Sequence, residues 1–309
     1  MSAGNMSSVI QYSGVSKRYG AEVALDNFSL EVPHGTVFAL LGENGAGKTT
    51  AIRILLGLAD ADGGQSEVLG LSSALQGLEI RRRVGYVSER PTLYEWMTVK
   101  EIGWFTAGFY GLGFLPEYCR LVEQFGLPPG RKIKSLSKGM RAKVALSLAL
   151  AHDPEVLVLD EPTSGLDAVV RREFLESMVD RAATGKTVFL SSHQIGEVER
   201  VADVVAILHE GRLALVERLD EIKAHFRELT FTTSDDALLT TELPGEVLYH
   251  RQRARQGQIM VRSGAEECEI ALRANASIEN IETRVPSLEE IFVAYMQRGS
   301  EAKLQGATT

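Results

Sequence analysis

Short apolar runs alternate with polar turns along the first 225 residues. Residues 36–41 form a continuous apolar run of strand length, which is typical of a strand covered on both faces of a sheet. A glycine-rich segment follows, and then Ile52, Leu55 and Leu58 recur at helical spacing. The pattern therefore predicts a strand, a glycine loop and a helix in direct succession.

Two further apolar runs end in polar residues. Residues 156–159 lead into Asp160 and Glu161, and residues 187–190 lead towards His193. Both runs are predicted to be buried parallel strands, whose carboxyl ends bring ligand-binding residues to one edge of a sheet. The sequence therefore predicts that the chemistry takes place at this edge.

The chain between these strands is predicted to be mostly helical, with a helical subdomain at about residues 90–155. Thr98 and Glu101 have the spacing of a capping box that opens a helix. The uncharged residues 102–116 are too short for a membrane span and are interrupted by glycines. We expect a closely packed buried helix there rather than membrane contact. The predicted core of this subdomain includes the aromatic residues Trp96, Trp104 and Phe105.

Beyond residue 224 the pattern changes to short alternating segments. Residues 246–249 and 258–261 are predicted strands with Gly257 in a turn between them, and a second capping box at Ser287 precedes a final helix. The sequence therefore predicts a large domain at residues 1–225 and a small accessory domain at residues 226–309. The end of the accessory domain, residues 299–309, is predicted to be a disordered tail.

Charge and cysteine content narrow the possible partners. The net charge of −8 and the pI near 5.4 argue against a surface that holds nucleic acid through its phosphates, so no nucleic acid partner is expected. Cys119 and Cys268 lie far apart without metal-ligand spacing, which favours a reducing cytoplasm over a disulfide framework or a zinc site. Residues 1–8 do not resemble a secretory signal and are predicted to be a loose tail.

The glycine loop has the composition of a phosphate-binding loop. Glycines let successive backbone amides point at phosphate oxygens, and the following helix presents its positive end to the anion. Lys48 is expected to reach the β and γ phosphates of ATP, and Thr49 to offer its hydroxyl to Mg²⁺. A glycine turn that binds nothing is the weaker interpretation. The predicted nucleotide-binding residues of the loop are Gly42, Glu43, Asn44, Gly45, Ala46, Gly47, Lys48, Thr49 and Thr50.

Three polar residues at the strand ends are candidates for catalysis. Asp160 is predicted to hold Mg²⁺ directly or through water, and Glu161 to polarise the attacking water. His193 would donate to the γ phosphate or hold that water together with Glu161. The alternatives are a surface acidic pair and a packed histidine.

These motifs resemble, in order and spacing, the nucleotide-binding subunit of an ATP-binding cassette (ABC) protein over about residues 7–225. The resemblance implies an α/β fold of the P-loop NTPase type, in which a core of mixed sheet and helices carries an α-helical subdomain and a small C-terminal α+β domain. It also implies that Tyr19 stacks on adenine. The matching segments are residues 42–50, 136–140, 157–161, 164–167 and His193.

The same resemblance implies a site shared between two ATPase subunits. Ser137, Gly139 and Met140, at the amino end of a helix, would contact the γ phosphate held by the second subunit. Asp167 would lie in the loop that crosses between subunits. A homodimer would thus enclose two ATP molecules.

Two motifs depart from the commonest family pattern. Lys138 and Met140 stand where glycine and glutamine are most frequent, and Glu89 stands where a glutamine usually senses Mg²⁺. Glu89 is predicted to be a metal ligand, and its carboxylate would alter metal affinity. These departures and residues 286–292 resemble a bacterial branch of ATPases that drive exporters of the ABC-2 type.

This resemblance implies an ATPase that powers export through separate integral membrane permease subunits, as a cytoplasmic protein peripheral to the inner face of the cell membrane. The alternative is a soluble ABC ATPase acting on nucleic acid or ribosomes. Such proteins usually have a long coiled coil between the phosphate loop and the signature, or two cassettes, and this sequence has neither. A third hypothesis makes the C-terminal domain a ligand sensor rather than a packing or dimer-supporting element.

Overall fold

The structure is a computed structural model that describes residues 8–234 and 243–306. The chain divides into two compact units, Met1–Val216 and Glu217–Thr309. Of the predicted tails, residues 1–7 and 307–309 lie outside the described residues, whereas residues 299–306 have a helical backbone.

The first unit contains two sheets and the helices that pack on them. In chain order its strands are β1 (Ser8–Tyr19), β2 (Glu22–Pro33), β3 (Val37–Leu41), β4 (Gly63–Val68), β5 (Leu71–Ser72), β6 (Val84–Val87), β7 (Val156–Asp160), β8 (Thr187–Ser192), β9 (Val204–His209) and β10 (Arg212–Arg218). The helices are α1 (Lys48–Leu55), α2 (Gly77–Arg83), α3 (Val99–Ala107), α4 (Phe114–Gln124), α5 (Lys138–Leu150), α6 (Ala168–Ala183) and α7 (Ile195–Val198).

The central sheet has the order β10-β9-β3-β8-β7-β6, and its strands from β9 to β6 are parallel. Every residue of β3, β7 and β8 is buried, which explains why these strands are continuous apolar runs. The second sheet is antiparallel, in the order β2-β1-β4-β5. One core joins the two sheets through α1, and this mixed architecture confirms the predicted α/β class.

The helical subdomain begins as predicted but exposes its aromatic residues. Thr98 caps α3, with its hydroxyl accepting from the Glu101 amide at 3.2 Å. Trp96, Trp104 and Phe105 are 66%, 69% and 36% exposed, so their predicted place in the core is wrong. The reason is helical phase, because the buried residues of α3 are Val99, Ile102 and Gly103.

The predicted single helix at residues 102–116 is instead the end of α3, a turn and the start of α4. Gly103 packs so closely on α4 that a Cβ there would collide with the Tyr118 ring. Gly108, Gly111 and Gly113 lie in or beside the turn. None of the helices within the described ranges has the length and apolarity needed to cross a membrane.

The second unit is a small α+β structure. Its elements are α8 (Leu219–His225), β11 (Arg227–Thr233), β12 (Glu246–Arg253), β13 (Gln256–Ser263), α9 (Ala265–Arg273), β14 (Ile278–Arg284) and α10 (Leu288–Gly306). The antiparallel sheet has the order β12-β13-β11-β14. Gly257 lies inside β13 rather than in the predicted turn, because only a glycine fits beneath the Phe231 ring.

Candidate functional site

The glycine loop connects β3 to α1 and wraps around the first turn of that helix. Gly45 and Gly47 have φ values of 84° and 109°, which favour glycine strongly. A Cβ at Gly47 would collide with the carbonyl oxygen of Ala24. A Cβ at Gly42 would lie only 2.6 Å from the carbonyl oxygen of Leu208. The loop therefore presents backbone, rather than side chains, to the amino end of α1, as an anion site requires.

A cavity of about 520 Å³ opens above this loop. Four predicted residues from distant parts of the chain, Tyr19, Glu89, Glu161 and His193, line it. The loop residues that line it are Glu43, Asn44, Gly45, Gly47, Lys48, Thr49 and Thr50. Gly42 and Ala46 shape the loop from beneath and are buried. The fold thus assembles one cavity from segments separated by more than a hundred residues.

The Lys48 side chain is buried at the base of this cavity. Its Nζ donates to the carbonyl oxygens of Gly42 and Glu43 at 2.7 and 3.1 Å. The same Nζ lies 3.1 Å from Glu161 Oε1. The ammonium group is therefore held by its own loop and neutralised by a carboxylate from the end of β7.

Asp160, the last residue of β7, is buried and accepts two hydroxyl hydrogen bonds on Oδ1. Ser191 Oγ donates at 2.6 Å and Thr49 Oγ1 donates at 3.2 Å. Burial raises the pKa of the Asp160 carboxyl, and the nearby negative charges of Glu161 and Glu89 raise it further. The hydrogen bonds from Ser191 and Thr49 lower this pKa but do not outweigh burial. A hard divalent cation suits this oxygen-rich, electronegative corner, since hydroxyl and carboxylate oxygens are the ligands that Mg²⁺ prefers.

Glu161 is held in an unusual backbone conformation between Lys48 and His193. Its φ of 49° is left-handed, which costs a non-glycine residue about 1–2 kcal/mol. Its amide donates to Ser191 Oγ at 3.1 Å, which supports this conformation. Its Oε2 lies 2.7 Å from His193 Nδ1. A buried carboxylate fixed in this way can orient and polarise a water molecule in the cavity.

Ser191 is the contributor that sequence reasoning did not assign. Its hydroxyl donates to the Asp160 carboxylate and accepts from the Glu161 amide, so it links that carboxylate to the backbone of Glu161. Its position at the end of a buried strand, next to two other polar residues, was the available signal. Ser164 also lines the cavity, from the segment just after β7.

The remaining predicted residues do not line this cavity. Ser137 caps α5, accepting from the Met140 amide at 3.2 Å, and Gly139 packs against Val170, where a Cβ would lie 3.0 Å from Cγ2. Asp167 caps α6, accepting from the amide of Val170 at 3.0 Å. One chain therefore carries two separate groups of predicted site residues, the cavity group and this signature group.

Lys138 joins the signature group to the segment after β7. Its ammonium lies against Gly165, where a Cβ would collide with Nζ, and the Gly165 φ of 65° also favours glycine. Among the described residues, no side chain or carbonyl group forms a hydrogen bond or ion pair with the Lys138 ammonium. The departure at position 138 thus places an uncompensated cation beside Ser137.

Comparison with known proteins relates this geometry to one family. The family model for ABC transporters matches residues 25–164. The chain is 36% identical over 235 residues to the bacitracin transport ATP-binding protein BcrA of Bacillus licheniformis, covering 74% of this chain and 76% of that protein. It is 37% identical to the daunorubicin resistance ATP-binding protein DrrA2 of Streptomyces coeruleorubidus, covering 69% and 68%.

A solved structure gives the same relation at the level of the fold. An ATP-binding subunit of an ABC transporter superimposes with a TM-score of 0.65 at 32% identity. The match covers 70% of this chain and 92% of that one.

Proposed function

The chain belongs to the ABC transporter family as an ATP-binding subunit that hydrolyses ATP, and we propose that the cavity above the glycine loop is its catalytic site and that hydrolysis drives export. The observation that carries this proposal is the carboxylate of Glu161, held between Lys48 and His193 in that cavity. A soluble ABC ATPase acting on nucleic acid or ribosomes is not favoured by these relatives.

The adenine and the phosphates bind at opposite ends of the proposed site. Tyr19 lines the cavity, is half exposed and has Lys17 Nζ 5.4 Å from the centroid of its ring, and in the proposed site this ring stacks on adenine. Lys48 and the loop amides bind the β and γ phosphates. Because Lys48 is paired with Glu161, phosphate oxygens replace that carboxylate as its partner and leave Glu161 available for water.

Thr49 and Asp160 are the residues that would hold Mg²⁺, with Glu89 at the same cavity as a third oxygen donor. The bound cation would neutralise phosphate charge during transfer. Glu161 orients the attacking water, and His193 Nδ1 holds the carboxylate in place. The other His193 ring nitrogen then faces the γ phosphate or the water.

A second copy of the chain completes each site. Ser137, Gly139, Met140 and Asp167 do not line their own cavity, so their proposed contact is with the γ phosphate bound by the other subunit. The positive end of α5 and the free ammonium of Lys138 suit that anion. Two chains would enclose two ATP molecules and separate after hydrolysis.

The proposed partner is an integral membrane permease, contacted from the cytoplasmic side of the cell membrane. Exposed aromatic rings of the helical subdomain are in contact, with centroids 5.4 Å apart for Tyr94 and Phe105 and 5.6 Å apart for Phe105 and Phe109. Contiguous exposed apolar surface is typical of a protein interface. The domains proposed from sequence, residues 1–225 and 226–309, would then be the transporter-type ATPase and its accessory domain.

Affinity capture of a Glu161→Gln variant from its native cells tests the membrane assignment. We expect one integral membrane protein to be retained with ATP and to be lost when Trp96 and Phe105 are both replaced by Ala. The matched control is Leu75→Ala, which removes an exposed apolar side chain outside the aromatic group. Capture of ribosomal or nucleic acid components instead of a membrane protein would refute the transport assignment.

A further inference from the structure

Two neighbouring rows of polar side chains cross one face of the sheet in the second unit. The strand register places one row across β12, β13, β11 and β14: Arg251, Gln258, Thr230 and Glu282. The second row, in the same strand order, consists of Arg253, Gln256, Thr232 and Asn280. Residues two apart on a strand share a face, so both rows form one surface, called here the polar sheet face.

The opposite face of the sheet is its apolar core. Leu229, Phe231, Ile259 and Val261 are buried there and cluster with residues of α9. The polar sheet face instead lines an open cavity of about 830 Å³, a volume within the range of small-molecule sites. Arg251 and Gln258 also line an adjoining cavity of about 430 Å³, whose other wall is α10.

Two arginines of this face are uncompensated. Among the residues that the structure describes, the side chains of Arg251 and Arg253 have neither a hydrogen bond nor an ion pair. Other arginines of the unit form ion pairs. For example, Arg255 Nη2 lies 3.2 Å from Glu279 Oε2, and Arg262 Nη2 lies 3.2 Å from Glu217 Oε2. Residues i and i+2 on a strand are about 7 Å apart, so both guanidinium groups can reach one anion.

A buried network fixes the edge of this face nearest α10. Glu228 is fully buried, forms an ion pair with Arg284 and accepts hydrogen bonds from Tyr249 Oη at 3.1 Å and from Gln258 Nε2. This bond uses one of the two N–H donors of the Gln258 amide, so its Oε1 can accept from a ligand hydroxyl and its second N–H can donate to one. The network therefore orients a polar group of the cavity before any ligand binds.

Nucleic acid and lipid do not suit this surface. Phe231 is the one aromatic residue that lines the larger cavity, and its ring lies beneath Gly257 on the apolar side of the sheet, where bases could not stack on it. The side chains of the two rows are amides, hydroxyls and charged groups, with no apolar patch for acyl chains. Guanidinium groups favour phosphate and carboxylate oxygens, in bidentate geometry.

We propose that the polar sheet face is a binding site for a small hydroxylated anion, a phosphorylated or carboxylated molecule. Arg251 and Arg253 bind its acidic group, and Gln258 with Thr230 and Thr232 binds its hydroxyl groups. All of its lining residues belong to the second unit, so the site would give that unit a ligand-binding role of its own.

The test uses the full chain carrying Lys48→Ala, so that anions do not bind at the glycine loop. Inorganic phosphate, glucose 6-phosphate and citrate are titrated separately by calorimetry, and hydrogen–deuterium exchange locates the binding. We expect saturable binding of at least one probe, with slower exchange in Glu246–Arg253 and Gln256–Ser263. Binding of the phosphates or of citrate alone would identify the acidic group as phosphate or carboxylate.

Replacing both Arg251 and Arg253 by Ala should weaken that binding at least about tenfold, since each removes a charge-assisted contact. The matched control is Arg273→Ala, which removes an arginine of α9 paired with Glu269 and should change the affinity less than about twofold. Both arginines of the pair are exposed and unpaired, so the double variant should unfold at the same denaturant concentration as the parent. The proposal is wrong if no probe binds saturably, or if the double variant binds as tightly as the control.

Discussion

The two units each bury a glutamate with basic partners, but they use it differently. Glu161 in the first unit is 8% exposed, lines a cavity and is paired with Lys48. Glu228 in the second unit is 0% exposed and lies between Arg284, Tyr249 and Gln258. In the proposed mechanism an incoming phosphate replaces Glu161 as the partner of Lys48, whereas the partners of Glu228 come from its own sheet. Burial alone therefore does not distinguish the proposed catalytic carboxylate of Glu161 from the carboxylate of Glu228, whose partners hold the sheet together.

Lys48→Ala should have the largest effect on the first unit. The substitution removes the charge-assisted contacts to the β and γ phosphates, so we expect ATP affinity to fall about 100-fold or more in a fluorescent-nucleotide titration. Lys186→Ala is the control, because Lys186 is paired with Asp153 outside the cavity. ATP binding by Lys48→Ala within about threefold of the parent would exclude the proposed phosphate contact.

Glu161→Gln should separate binding from turnover. Loss of the water-orienting carboxylate should lower the ATP hydrolysis rate about 10²–10⁴-fold, while ATP binding persists. Light scattering should then detect an ATP-dependent dimer that the parent forms only transiently. The control is Glu176→Gln, on the exposed face of α6 and paired with Arg172. Unchanged turnover in Glu161→Gln would overturn the catalytic assignment.

Glu228→Gln should lower the stability of the second unit and leave ATP turnover unchanged. Removing a buried charge leaves Arg284 with only its contact to Glu290, so we expect the free energy of unfolding of the second unit to fall by about 2–4 kcal/mol. Hydrolysis per folded molecule should stay unchanged. Urea denaturation followed by exchange of β11 measures the first quantity. Glu279→Gln, an exposed partner of Arg255, should cost less than about 1 kcal/mol.

The smallest expected effect is a pH dependence of stability from one histidine in each unit, the partly buried His152 and the more exposed His250. Burial lowers the pKa of His152 from 6.5 to about 4, and burial also lowers that of His250. The unfolded chain binds more protons between these pKa values, so stability is complete above about pH 6.5 and is lost as the pH falls towards 4.

His152→Gln should weaken the pH dependence of the free energy of unfolding of the first unit, by an amount equivalent to at most about one proton taken up on unfolding. Urea denaturation midpoints at several pH values measure this dependence. The matched variant His250→Gln should act on the second unit instead. An unchanged slope in both variants would show that neither histidine is buried in its neutral form.

Most of the fold of the first unit followed from local sequence. The apolar runs of β3, β7 and β8 have the length and composition of strands buried on both faces, and the structure buries every residue of each. The capping box at Thr98 forms because its two hydrogen bonds depend on residues only three positions apart.

The misplaced aromatic residues show where this local reasoning stopped. Hydrophobicity alone predicts a core position for Trp104, but this residue lies off the face of α3 that contains Val99 and Ile102. The sequence pattern predicts a turn at Gly257, but this glycine lies inside β13, where it leaves room for the Phe231 ring. The phase of helix α3 can be predicted from the spacing of residues in the sequence. The position of the Phe231 ring depends on the pairing of β11 with β13, which the sequence pattern does not give.

The sequence by itself determined the glycine loop between β3 and α1, because its glycines, lysine and threonine form one contiguous segment. It also placed Asp160, Glu161 and His193 at strand ends, since parallel strands end at one edge of a sheet. Only the tertiary structure decided that Glu161 pairs with Lys48, and that Arg251 and Arg253 have no carboxylate opposite them among the described residues. Such pairings depend on strand register between segments far apart in the chain, which local spacing does not encode.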